Sequence, residues 1–253
     1  TFPYVFCDAT FCKVRVGAHV VSQALVVATG VSIDGTREVL GTAVGDSESY
    51  EFWREFLVSL KARGLSGVHL VISDAHAGLK AAVAQQFTGS SWQRCRVHFM
   101  RNLYTTVSAK NAPAVTAAVK TIFAHTDPDE VAGQWDRVAD TLAGSFPKVA
   151  AMMADAKTDV LAFTAFPSAH WQKIWSNNPI ERLNKEIKRR ADVVEIFPNP
   201  AAFQRLATAV VIEAHDEWQV ARRYLSDVSM DELRAVIAAK HAAAALAKQH
   251  QIA

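Results

Sequence analysis

The chain has 253 residues, half of them apolar, with 27 lysines and arginines against 25 acids, which is enough for one large domain or a core domain carrying an insertion. A net charge of +2 excludes any argument for nucleic-acid binding from bulk electrostatics and leaves that question to local clusters. No apolar run approaches the roughly 20 residues that a membrane span needs, and no signal-peptide pattern opens the sequence, so a soluble, intracellular and cytoplasmic protein without a membrane partner is expected. Thr1 is not a methionine and already stands in a strand-like run, so the sequence reads as a piece of a longer chain. Cys7, Cys12 and Cys95 form no pairing pattern and are expected as reduced thiols.

Phe2 to Val16 is rich in Val, Phe, Tyr and Thr and predicts a strand. Asp8 stands inside it between Cys7 and Ala9, where a carboxylate is costly unless it meets a cation, a donor or a metal. His19 to Thr29 and Arg37 to Val44 predict two more strands, and the short connections predict an antiparallel meander. Asp34 and Asp46 fall in its turns, as solvated or capping residues. Ser47 to Arg63 has helical spacing and ends at Gly64. Val68 to Ile72 is a short continuous apolar run, the kind of strand a sheet buries on both faces. It ends at Ser73-Asp74-Ala75-His76, before a helix predicted over Gly78 to Phe87. Asp74 is either the N-cap of that helix or a carboxylate at the carboxyl end of a buried strand, where open α/β sheets place ligands.

Ser91 to Cys95 predicts the fifth strand and runs into Arg96-Val97-His98. From Thr105 to Pro167 the composition becomes Ala-rich with a helical period, which predicts an all-helical insertion of four helices. Asn178 then predicts an N-cap and Pro179 a first helical position. On this helix Ile180, Leu183 and Ile187 make an apolar stripe, while Glu181, Asn184, Lys185 and Lys188 share another face. Two further helices are predicted over Pro198 to Leu225 and Met230 to Ala247. The expected organisation is a core over residues 1–104, the insertion over 105–168, the acid-bearing helix over 169–197 and C-terminal helices over 198–253.

A β-β-β-α-β-α-β order with acids in the first strand, after the fourth and on a later helix is the arrangement of ribonuclease H-like nucleotidyl transferases. Particular stretches also resemble the bacterial mutator-type insertion-sequence transposases. They are Asp8-Ala9-Thr10, Gly35 to Gly41, Ser73-Asp74-Ala75-His76-Ala77-Gly78-Leu79, Trp92-Gln93-Arg94-Cys95-Arg96-Val97-His98, and Asn178-Pro179-Ile180-Glu181-Arg182-Leu183-Asn184-Lys185 onward to Phe197-Pro198. The resemblance runs from about Asp8 to Phe197, and separated motifs in one order make it specific. It implies a catalytic triad of Asp8, Asp74 and Glu181 and a Cys-x-x-His element at Cys95 and His98. It further implies a ribonuclease H-like mixed five-stranded sheet and an enzyme that cuts and joins DNA. The implied partners are transposon terminal inverted repeats, target DNA and further copies of the chain, as a homodimer or larger synaptic complex.

The chemistry of phosphodiester cleavage agrees with that triad. Two Mg²⁺ ions about 4 Å apart activate a nucleophile and neutralise the charged phosphorus centre, and Mg²⁺ prefers carboxylate and water oxygens. Asp8 is expected to bridge both ions, with Asp74 and Glu181 each completing one and Mn²⁺ substituting. Two ligands, Cys95 and His98, are too few for structural zinc, so His98 is read as a neighbour of the acids or as a brace for the insertion. His76 and Asn184 are expected to support the site. Arg182, Lys185, Lys188, Arg189 and Arg190 form the strongest basic cluster, and Arg94, Arg96 and Arg101 can extend it, either as a track for the DNA backbone or as a solvated face paired with Glu186. Trp171 and Trp175 are read as core or as a stacking surface for a splayed base. The competing functions are a ribonuclease H-like nuclease or resolvase without strand transfer, and an inactive DNA-binding module.

Overall fold

The computed structural model describes residues 1–252, with side chains through residue 246. Its frame is a mixed sheet in the order Arg37–Gly45 (β3), His19–Val31 (β2), Tyr4–Val16 (β1), Leu70–Ser73 (β4) and Ser91–Arg94 (β5). β1 (Tyr4–Val16), β2 (His19–Val31) and β3 (Arg37–Gly45) form the expected antiparallel meander. β4 (Leu70–Ser73) joins the other edge of β1 in parallel, and β5 (Ser91–Arg94) joins β4 in parallel. A two-residue strand that hydrophobic periodicity does not signal, β6 (Ile196–Phe197), pairs with β1 at Lys13 and Val14.

Period-two alternation divides the first strand between two cores. Val5 and Cys7 enter one core together with Val26, Ala28 and Val71. α1 (Tyr50–Ala62) and α2 (Ala77–Gln86) cover that face with Trp53, Phe56, Leu57, Leu79 and Val83. α1 starts where the Ser49 side chain accepts from the Phe52 N–H, an N-cap bond of the expected type. Tyr4 and Phe6 enter the opposite core with Leu25, Val27, Leu70 and Ile72.

The other face carries α3 (Arg96–Tyr104), α4 (Ala112–Ile122), α5 (Pro128–Ala143), α6 (Pro147–Val160), the single turn α7 (Trp171–Ile174), α8 (Asn178–Val194), α9 (Pro200–Val220) and α10 (Asp227–Ile252). Between residues 105 and 167 there are three α-helices and a 3₁₀ turn, not four α-helices. The buried Gln93 side chain explains the stop. Its Nε2 donates to the Val160 carbonyl at 2.7 Å, and its Oε1 accepts from the Phe163 N–H at 2.8 Å. These bonds satisfy backbone groups at the end of α6 and hold the chain in a tighter turn.

α9 likewise ends earlier than the predicted Leu225. The N–H groups of Tyr224 and Leu225 both donate to the Gly35 carbonyl, at 2.9 and 3.1 Å, and dock this segment on the β2–β3 turn. Gly35 has φ +78°, and a Cβ there would lie 2.4 Å from the Leu225 carbonyl oxygen, so the turn requires glycine. Asp34 is exposed in that turn and Asp46 accepts from Gln23, as turn residues are expected to behave. No helix among the described residues is long and apolar enough to cross a membrane.

Candidate active site

Strand parity puts the first two acids side by side. β1 and β4 are parallel with Phe6 opposite Ile72. Asp8 and Asp74 each lie two residues further on, so both fall on the face that Tyr4, Phe6, Leu70 and Ile72 share. The third parallel strand continues the series, because Cys95 follows β5 and its N–H donates to the Ser73 carbonyl at 2.7 Å. Asp8, just past the stretch of β1 that pairs with β4, thus neighbours Asp74 and Cys95, which follow the carboxyl ends of β4 and β5. Asp74 does not cap α2. Its Oδ1 accepts from the adjacent Ala75 N–H, and the N-cap is His76, whose Nδ1 accepts from the Leu79 N–H at 3.3 Å.

α8 lies across these strand ends. It starts one residue before the predicted position, with Asn177 as N-cap and Pro179 in the first turn. Asn177 has no side-chain capping bond, because its Nδ2 donates instead to the Cys7 carbonyl in β1 at 3.0 Å. Its backbone N–H donates to the Cys95 sulfur at 3.3 Å. Ile180, Leu183, Ile187 and Ala191 are buried along the helix, as their spacing predicts. Burial of each larger side chain contributes about 1.5–3 kcal/mol. At the far end β6 returns to β1. Both ends of α8 are therefore held against the strand that carries Asp8, which fixes the position of Glu181 in the first turn.

The electrostatics reflect this convergence. The Asp8 carboxyl is pushed up to about 7 by burial. Hydrogen bonds from the Asn184 side chain and the Ala9 N–H pull it down, and the charges of Glu181 and Asp74 push it up again. Asn184 Nδ2 donates to Asp8 Oδ2 at 2.8 Å. Glu181 Oε1 lies 3.8 Å from His98 Nε2, and this oxygen is buried without a hydrogen-bond partner. One ligand atom from each of Cys95, His98 and Glu181 can be chosen so that all lie within 4.8 Å of one another.

Two neighbours of the site escaped the sequence reading. Asn177 braces the start of α8, a role hidden because it looks like an ordinary cap. Glu48, in the loop before α1, has its carboxyl raised by burial; His76 and Trp53 pull it down and Asp74 pushes it up. Nothing in its local sequence distinguishes it from Asp46, the other acid of that loop.

The basic residues divide into groups. Lys188 is exposed on the β1 side, in a groove of about 410 Å³ with Phe11, Cys12 and Lys13. Arg182, Lys185, Arg189 and Arg190 line a larger cleft of about 630 Å³ between α8 and α9, which also holds Arg37 and Trp218. Arg189 pairs with Glu186, and Arg190 with both Glu186 and Glu213. The Arg96 guanidinium lies 3.9 Å from the centre of the Trp175 ring and 4.6 Å from that of Phe123. Arg94 lies over Phe99, and Arg101 is exposed on α3. Trp171 is buried and donates its indole N–H to the Phe166 carbonyl. Trp175 packs edge-on to Phe123 and Phe163 beneath Arg96.

Residues 1–221 match the family described as Transposase, Mutator family. The transposase for insertion sequence element IS1081 of Mycobacterium tuberculosis is 46% identical over 237 residues, which cover 93% of this chain and 57% of that protein. The transposase for insertion sequence element IS256 in transposon Tn4001 of Staphylococcus aureus is 40% identical over 228 residues, 89% of this chain and 58% of that protein. The transposase for insertion sequence element ISRM5 of Rhizobium meliloti is 37% identical over 233 residues, 92% of this chain and 58% of that protein. The chain thus spans somewhat more than half the length of these curated relatives. It belongs to the Mutator family of transposases.

Proposed function

We propose that this chain is the catalytic part of a transposase, a metal-dependent enzyme that cuts DNA at the ends of an insertion sequence and joins them to target DNA. The observation that carries the reading is that the charges of Glu181 on α8 and Asp74 at the end of β4 both bear on the buried Asp8 carboxyl in β1. The mixed sheet and crossing helix support a ribonuclease H-like architecture for that site.

The residues fit a pair of Mg²⁺ ions. All three acids offer hard carboxylate oxygens, the donors Mg²⁺ takes. Glu181 Oε1 is buried without a hydrogen-bond partner, and Asp8 is held between two like charges. Asp8 would hold both ions, with Asp74 and Glu181 each holding one; Mn²⁺ would serve in their place. When bound, the ions supply Lewis acidity and charge neutralisation at the scissile phosphate. Asn184 orients the Asp8 carboxylate. Arg182, Lys185 and Lys188 hold the DNA backbone on either side of α8. Attack by water breaks the P–O3′ bond and frees a 3′-hydroxyl at the element's end. Attack by that hydroxyl on a target phosphodiester then joins the strands and frees a target 3′-hydroxyl.

The partners on this reading are terminal inverted repeats and target DNA, bound by a homodimer or larger synaptic complex in the cytoplasm. Incubating the intact protein with Mg²⁺, a plasmid and precleaved ends carrying a 3′-hydroxyl tests it. Joined products are expected, and Asp74→Asn abolishes them. Hydrolysis alone would identify a nuclease or resolvase, and binding without either reaction an inactive DNA-binding module.

A further inference from the structure

We propose that Cys95, His98 and Glu181 form a second cation site, suited to a thiophilic divalent ion such as Zn²⁺, and that filling it removes Glu181 from the magnesium pair. Cys95 and His98 alone are too few ligands for such a site. The fold adds a third from a helix more than eighty residues away, and the three ligand atoms lie within 4.8 Å of one another. Zinc bonds of about 2.0–2.3 Å place tetrahedral ligands roughly 3.3–3.6 Å apart, so a shift of about 1 Å closes the cluster. The His98–Glu181 separation of 3.8 Å is already near that value.

The surroundings favour an ion over a simple brace. At 3.8 Å, His98 and Glu181 are too far apart for a hydrogen bond. Glu181 Oε1 is buried without a hydrogen-bond partner, an arrangement a cation relieves. Cys95 stands at the N-terminus of α3 and accepts the Asn177 N–H on its sulfur. Burial nonetheless pushes the Cys95 thiol up, with the N–H groups of His98, Asn177 and Val97 offsetting part of that rise, and a bound cation supplies the positive charge that favours the thiolate. Sulfur, imidazole and carboxylate together select zinc over magnesium, whose preference is for oxygen alone. Three protein ligands leave a fourth position open.

Binding at this cluster does not depend on the magnesium reading, whereas the resulting competition for Glu181 rests on it. Titrating the intact protein with Co²⁺, a spectroscopic stand-in for Zn²⁺, tests binding directly. One equivalent is expected to give a sulfur-to-cobalt charge-transfer band that Zn²⁺ bleaches. Cys95→Ser abolishes the band, while Cys12→Ser and Asp8→Asn keep it. Loss of an outer-shell partner of a metal ligand costs 10–100-fold in affinity. Loss of the Cys95 ligand should therefore raise the Zn²⁺ concentration that inhibits Mg²⁺-dependent nicking by at least about 100-fold. No band in the wild-type protein, or a band that survives Cys95→Ser, overturns the site. Zinc that binds through Cys95 yet leaves nicking unchanged overturns the competition. Should Asp8→Asn nick DNA normally, the magnesium reading fails while the cobalt band still reports on this cluster.

Discussion

Asn184 Nδ2 donates to Asp8 Oδ2 at 2.8 Å, tying α8 to β1 across 176 positions of sequence. Asn184 follows Glu181 by three residues, so one helical turn presents a carboxylate to the site and an amide to the carboxylate opposite. A hydrogen bond to a charged group is worth about 1.5–3 kcal/mol. Asn184→Ala is therefore expected to raise the Asp8 pKa further and to shift the pH profile of nicking to higher pH, with the larger loss of rate on its acid side. Asn184→Asp adds a fourth carboxylate and is expected to be worse than Ala. Rates measured across pH check both, and profiles that match wild type would remove Asn184 from the positioning of Asp8.

Asp8 makes the metal-free protein less stable as pH rises. Its folded pKa is about 7 against an ordinary value of 3.8, so from about pH 4 to pH 7 the folded state holds a proton that the unfolded state has released. The group's contribution to stability is present at low pH and is lost across that window. Asp8→Asn should raise the metal-free Tm at pH 8 and leave it nearly unchanged at pH 4. His170 acts in the opposite direction. Burial depresses it from 6.5 to about 4, so its contribution is lost as pH falls through that range, in the variant as in wild type. Thermal melts of both proteins across pH test these signs.

On the proposed function, metal binding at Asp8 would displace the same proton. Mg²⁺ affinity is expected to climb with pH up to about 7 and then to level off. Calorimetric titrations in buffers of different ionisation enthalpy would detect the released proton below pH 7. Equal affinities at pH 5.5 and 8 would count against Asp8 as a ligand.

The basic residues should separate by their contribution to salt dependence. Neutralising Arg182, Lys185 or Lys188 is expected to reduce the slope of DNA affinity against salt by about 1 each. Arg189→Gln and Arg190→Gln should leave the slope near wild type, because Glu186 and Glu213 already occupy those guanidiniums. Arg96→Ala is predicted to act on the fold instead. It removes the stack on Trp175 and Phe123, at a cost of about 1–2 kcal/mol, with the salt slope unchanged. Fluorescence anisotropy at several salt concentrations, with denaturant unfolding for Arg96→Ala, distinguishes the two roles.

Features that depend on local periodicity were legible in the sequence. Alternation in β1 marks Asp8 as a carboxylate in a buried strand, and the Ile180, Leu183, Ile187 stripe shows which side of α8 packs. Features that depend on distant contacts were not. No spacing rule places Glu181 beside Cys95 and His98, because α4 to α6 intervene. Asn177 resembles a helix cap, yet its amide is drawn to the Cys7 carbonyl. The basic residues of α8 look like one cluster until β1 and α9 place Lys188 and Arg189 in different grooves. Gln93 ends α6 from a strand far away in sequence, which is why the helix count there fell from four to three.

The assignment of Asp8, Asp74 and Glu181 as holders of the metal that cuts DNA is central to the proposed function. Its most direct test is Mn²⁺ binding by electron paramagnetic resonance, paired with nicking by the same samples, for wild type, Asp8→Asn, Asp74→Asn and Glu181→Gln. Wild type should bind two ions, and each variant should lose at least one ion together with nicking while still binding DNA. Wild-type Mn²⁺ stoichiometry and nicking in any one of the three variants would contradict the assignment of that residue.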